Sequence, residues 1–153
     1  MGNIFNADFR DFLEALRQNN VRYVLVGGYS VILHGYSRTT GDLDIWVEKT
    51  PANYAQLVLA FRQFGMPMFD MTADNFLYRS EFDVFTFGRP PVAIDIMTTV
   101  KGLAFTEAYA QASDTEVEGL TIRLIQYQHL LEAKRAAGRP RDQNDLDNLL
   151  NVK

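Results

Sequence analysis

The 153-residue chain has no cysteine. That absence excludes disulfides, cysteine-ligated zinc and a thiol nucleophile, and it fits a reducing compartment. No apolar run approaches the ~20 residues a membrane helix needs, and the N-terminus lacks the basic-then-apolar layout of a signal peptide. A strong charge of either sign is missing too. A net charge of −4 argues against a broad nucleic-acid surface and leaves room only for a local basic patch. Repeats, low-complexity segments and linkers are all absent. What remains is 47% hydrophobic and 22% charged, enough to give one domain over residues 1–153 a real core. The expectation is a soluble, cytoplasmic domain with no membrane partner.

Helix and strand signals alternate along the chain. Phe9, Phe12, Leu13 and Leu16 fall at helical spacing over residues 7–18, with Asn6 as N-cap and Asn19-Asn20 as the stop. Arg22 to Val26 reads as a strand, Gly27-Gly28 as a turn, and Tyr29 to His34 as a short helix closed by Gly35. Leu43 to Val47 is a second strand. Thr50-Pro51 opens a helix with proline at its first position; its stripe of Tyr54, Leu57, Val58 and Phe61 ends at Gly65. Residues 66–80 are poorly legible apart from a short helix that Thr72 caps. Phe82 to Phe87 and Val92 to Met97 form a hairpin around Gly88-Arg89-Pro90-Pro91. A short helix over Thr106 to Ala112 and strand character from Glu116 to Ile125 follow. Two helices, Gln126 to Ala137 and about Asp142 to Leu150, are separated by Gly138-Arg139-Pro140 and pack on the core. The fold class is α/β (α+β): a small mixed sheet flanked by helices.

The second strand opens with two aspartates. Residues i and i+2 of a strand lie on one face about 6.6 Å apart, so Asp42 and Asp44 point together while Leu43, Ile45 and Val47 enter the core. Adjacent carboxylates repel unless a cation lies between them. In Val92-Ala93-Ile94-Asp95-Ile96-Met97, Asp95 runs against strand propensity. If this strand neighbours the other, three carboxylates meet on one face. With no histidine or cysteine nearby, these hard oxygen donors suit Mg²⁺ or Mn²⁺ rather than zinc. Such a site holds two ions about 3.5–4 Å apart, which clamp the attacking and leaving oxygens of a phosphoryl displacement.

The glycine pair complements them. Where a strand turns through Gly27-Gly28 into a helix, backbone N–H groups face outward and a phosphate can approach the main chain. Ser30 either donates its hydroxyl to that phosphate or caps the helix. Lys134 continues the Tyr127, Leu130, Leu131 stripe, so it either snorkels at the edge or enters a pocket. Lys134, Arg135, Arg139 and Arg141 form a local basic excess suited to β- and γ-phosphates and to departing pyrophosphate. Arg38 is a second candidate for the same task, against a solvated basic face for both. Asp142 reads as the N-cap of the last helix, with Asp145 favouring its positive end. His34 reads as structural, and Trp46, Tyr54 and Phe61 as core.

Gly27-Gly28, Asp42-Leu43-Asp44 and Asp95 together resemble the catalytic pattern of the polymerase-β-like nucleotidyltransferase superfamily. The runs from Gly27 to Trp46, Ala93 to Thr98 and Lys134 to Asp142 are similar to its small bacterial members, the AbiEii-type and minimal nucleotidyltransferases. The resemblance spans roughly residues 22–149. It implies Asp42, Asp44 and Asp95 as catalytic metal ligands, with Asp95 the base-side carboxylate near the acceptor. It also implies a nucleoside triphosphate donor and transfer of a nucleotidyl group with loss of pyrophosphate. The acceptor it suggests is a protein or RNA, within a toxin–antitoxin pair in which the partner is a cognate toxin or antitoxin. A second reading is a small-molecule transferase acting on an aminoglycoside or lincosamide, which needs an extra wall from residues 66–82 or from a homodimer partner. A third is a non-catalytic nucleotide-binding module, against which the intact carboxylate trio argues. Base preference, acceptor and oligomeric state are not legible.

Overall fold

The computed structural model describes residues 4–89 and 92–152. Its elements run α1 (Ala7–Gln18), β1 (Tyr23–Val26), α2 (Gly27–Leu33), β2 (Leu43–Val47), α3 (Pro51–Phe64), α4 (Ala73–Tyr78), β3 (Val84–Arg89), β4 (Val92–Met97), α5 (Phe105–Gln111), β5 (Ser113–Val117), β6 (Leu120–Leu124), α6 (Tyr127–Ala137) and α7 (Pro140–Val152). Local chemistry sets most of these limits. The Asn6 side chain accepts from the Phe9 N–H at 2.8 Å, and Thr50 and Thr72 cap α3 and α4 likewise. Gly65, at φ +86, supplies the left-handed end of α3.

The six strands form one mixed sheet in the order β3-β4-β2-β1-β6-β5. β1 lies antiparallel to β2 and parallel to β6, while β4 lies parallel to β2 and antiparallel to β3. The mixed α/β expectation thus describes the molecule. Edge-to-face contacts of Phe12 with Phe61 and Phe64 pack α1 against α3. Leu130 and Leu131 of α6 and Leu146 and Leu149 of α7 join the same buried cluster. Trp46, on the Asp44 side of β2, is also buried because the Phe105 ring meets it edge-on at 5.3 Å. No helix of the described residues is long and apolar enough to cross a membrane.

Several boundaries shift from the sequence reading. β3 begins at Val84 rather than Phe82, and Pro90-Pro91 of the expected turn lie outside the described residues. The strand character over 116–125 resolves into a hairpin, β5–β6, turning at Glu118 (φ +52) and Gly119 (φ +86). α7 starts at Pro140, which makes Asp142 its third residue and not its N-cap. From there Asp142 accepts from the Arg139 N–H at 3.2 Å, the reach-back half of a capping box.

Candidate active site

β1 passes directly into α2. Gly27 adopts φ +71, and a Cβ there would overlap the Asp44 carboxylate. A Cβ at Gly28 would overlap the Thr40 hydroxyl and stand 3.4 Å from Arg38 Nη1. Both glycines are therefore required by the close approach of side chains on and before β2. The N-cap of α2, Val26, offers no side-chain acceptor, so the N–H groups of the first turn are left for another partner.

Register brings the carboxylates to this turn. Val26 pairs with Asp44 across β1–β2, and Asp44 pairs with Asp95 across the parallel β2–β4 ladder. Strands so paired are about 4.8 Å apart. Asp42 lies just before β2, its Oδ1 accepting from the Ala93 N–H at 3.2 Å. On β3, Thr86 faces Asp95, and its hydroxyl donates to Asp95 Oδ1 at 2.8 Å. Burial pushes the Asp44 carboxyl up to about 7, assisted by the charge and hydrogen bond of Asp95 and by Asp42; Lys134 pulls it the other way. A carboxylate raised by like charges is electrostatically unsatisfied without a cation. The donor set therefore fits a hard divalent ion such as Mg²⁺ or Mn²⁺, although no three carboxylate or imidazole side chains among the described residues already form a metal cage.

A cleft of about 530 Å³ collects these parts: Gly27, Gly28, Asp42, Asp44 and Asp95 line it together with Arg38, Lys134, Arg139 and Arg141. Lys134 thus enters a pocket instead of snorkelling. Arg135, the remaining member of the basic run, is exposed and outside the cleft. Ser30 is outside it too: the side chain is buried, and its hydroxyl donates to the Gly27 carbonyl at 2.6 Å. It shapes the turn from behind, a placement that weighs against direct phosphate contact. His34 binds the Ile125 carbonyl through Nε2 at 2.7 Å.

Arg38 and Lys134 are held, not solvated. Asp145 accepts from Arg38 Nε at 2.7 Å and Nη2 at 2.9 Å, and from Lys134 Nζ at 2.9 Å. Asp142 takes Lys134 Nζ at 3.2 Å and Arg139 Nε at 2.6 Å. Sequence reasoning treated both acids as helix-end residues. Their i, i+3 spacing, which puts them on one helix face, was the available signal. Thr40 and Thr86 carried no such signal, since each is placed only by tertiary register.

The model of the aminoglycoside-2''-adenylyltransferase family matches residues 8–149. The chain belongs to that family. Transfer of a nucleotidyl group is therefore its chemistry. Solved structures share its fold: the lincosamide antibiotic adenylyltransferase LnuA with lincomycin bound has TM-score 0.57 at 14% identity, covering 99% of this chain and 100% of that one. The antibiotic-resistance factor ANT(2'')-Ia has TM-score 0.61 at 12% identity, covering 95% and 82%. A candidate nucleotidyltransferase from Thermotoga maritima has TM-score 0.55 at 17% identity, covering 95% and 91%. No curated protein is significantly similar in sequence. The superfamily expected from the motifs holds, but the AbiEii-type subgroup does not.

Proposed function

We propose that the chain is an antibiotic-type adenylyltransferase, moving AMP from ATP to a hydroxyl of an aminoglycoside-like small molecule and releasing pyrophosphate. The observation that carries this reading is the cleft itself, which gathers a carboxylate trio, four cations and the Gly27-Gly28 turn. Its volume lies within the usual range for small-molecule sites, roughly 300–1,000 Å³. The family match and the two antibiotic-modifying structural neighbours support a small-molecule acceptor over the protein or RNA, and over the toxin–antitoxin partner, suggested by the sequence motifs.

In this mechanism the first-turn N–H groups of Gly27 and Gly28, with Arg38 and Lys134, hold the triphosphate and balance the charge that builds on the leaving pyrophosphate. Arg139 and Arg141 extend that cationic wall. Asp42, Asp44 and Asp95 would hold Mg²⁺ or Mn²⁺, which supplies charge neutralisation and lowers the proton affinity of the acceptor hydroxyl. Asp95 takes the hydroxyl proton, its carboxylate oriented by Thr86. Beyond Asp95 the cleft continues over Val84 and Met97, an apolar seat for the non-reacting part of the acceptor.

The test incubates pure protein and Mg²⁺ with each labelled triphosphate, separately offering aminoglycosides, lincosamides and total cell lysate. Label from ATP on a small molecule, with stoichiometric pyrophosphate, is expected. Label confined to RNA or protein would return the assignment to the macromolecular acceptor.

A further inference from the structure

Asp145 does not line the cleft, yet two of the cations that do, Arg38 and Lys134, are attached to it. Its side chain is 0% exposed. One carboxylate accepts two bonds from Arg38 and one from Lys134. Arg38 comes from the segment before β2, Lys134 from α6, and Asp145 from α7, so three separate parts of the chain meet at a single buried anion. We infer that Asp145 is a positioning residue for nucleotidyl transfer, fixing Arg38 and Lys134 as a paired donor set for the triphosphate. The inference rests on the cleft being the triphosphate site.

The donor count supports this. Arg38 has five N–H donors; its Nε and Nη2 bonds to Asp145 and an Nη1 bond of 2.9 Å to Thr39 O use three. The Nη1 end lies 3.4 Å from where a Gly28 Cβ would stand, beside the glycine turn at which the triphosphate is proposed to sit. Lys134 has three donors and gives two, to Asp142 and Asp145. The remaining one is within electrostatic reach of Asp44. Without an anchor, a lysine and an arginine facing a triphosphate must each surrender rotamer freedom on binding. With Asp145 in place that ordering is complete before the nucleotide arrives, which is preorganisation. Two buried anions also keep the cations from collapsing onto Asp44, which would quench both sets of charges.

A merely structural latch would hold α7 in place without affecting the chemistry, and kinetics separate the two roles. ATP KM and kcat are measured for wild type, Asp145→Asn, Asp145→Glu, Arg38→Gln and Lys134→Gln, with Leu149→Ala as a control that loosens buried α7 without touching a cation. The Asp145→Asn change is expected to lower kcat/KM for ATP roughly 10–100-fold, with partial rescue in Asp145→Glu, while Leu149→Ala loses stability but keeps kcat/KM at a temperature where it is folded. If Asp145→Asn fails to fold, the Asp145→Asn/Arg38→Gln double variant removes the pair together. It should lose less than the product of the Arg38→Gln and Lys134→Gln losses, since those are the two cations through which Asp145 acts. A double variant that multiplies both losses, or an Asp145→Asn enzyme within about twofold of wild type, overturns the positioning role. A wild-type protein that neither binds ATP nor transfers a nucleotide instead sinks the functional assignment beneath it.

Discussion

Asp44 and Asp95 stand side by side at one register position of two parallel strands, β2 and β4. Neither is near the other in sequence, and among the described residues neither forms an ion pair; Lys134 is the positive charge that lowers the Asp44 carboxyl. The two strands therefore concentrate negative charge that Lys134 only partly offsets, since the Asp44 carboxyl stays raised to about 7.

Replacing Asp44 with asparagine removes that repulsion and the proposed ligand together. Because burial and its acidic neighbours raise the folded-state carboxyl from 3.8 to about 7, the folded state binds the proton more tightly than the unfolded one. Stability is thus greatest below the unfolded value and is lost as pH climbs through about 7. In metal-free buffer at pH 8, Asp44→Asn should unfold at a higher temperature than wild type. Relief of only about 1 kcal/mol raises Tm by roughly 2–4 °C in a chain of this size. Transfer activity should vanish, and a calorimetric pH series checks the first effect independently of the second.

Mg²⁺ should raise Tm only when Asp42, Asp44 and Asp95 are all present. At an ion concentration about ten times Kd the stabilisation is about 1.4 kcal/mol, a rise of roughly 3–6 °C. Equal shifts in wild type and in the three Asp→Asn variants would mean the ion binds elsewhere.

The glycine turn is sterically specified. Gly27→Ala must place a Cβ into the Asp44 carboxylate at φ +71, and the left-handed conformation alone costs about 1–2 kcal/mol. Gly28→Ala displaces Thr40 without that backbone strain. Urea denaturation should therefore rank Gly27→Ala below Gly28→Ala, with ATP binding impaired in both.

The α6–α7 ion network gives the opposite pH limb. Burial raises the Asp142 carboxyl, but hydrogen bonds from Arg139 and Lys134 outweigh it and hold the group below its ordinary value of 3.8. The stabilisation is present above that value and is lost as pH falls through the lower folded-state one. Asp142→Asn should destabilise by roughly 1.5–3 kcal/mol near neutrality, the usual worth of hydrogen bonds to charged groups, because Asp145 still holds Lys134 and Arg139 is largely exposed. It should also flatten the acid limb of a Tm-versus-pH profile.

Elements whose signals are local were legible. Asn6, Thr50 and Thr72 bind the N–H groups three residues ahead, and the alternation of Val92 to Met97 identified a strand with Asp95 off its core face. β5 was only partly legible because Ser113, Asp114 and Glu116 form an exposed edge with no apolar rhythm. Ser30 pointed toward phosphate by sequence position, but its hydroxyl found a nearer acceptor in the Gly27 carbonyl. The AbiEii-type subgroup was not separable in sequence from the family that matches over residues 8–149.

By itself the chain dictated its periodicities, its caps, the glycines at the turn and the identity of three off-pattern aspartates, since each depends on neighbours within a few residues. Only the folded molecule decided that β4 lies beside β2, that Thr86 holds Asp95, and that Asp145 grips Arg38 and Lys134. Those relationships join residues 9 to 107 positions apart, and such contacts are set by how sheets and helices pack, which no local pattern encodes.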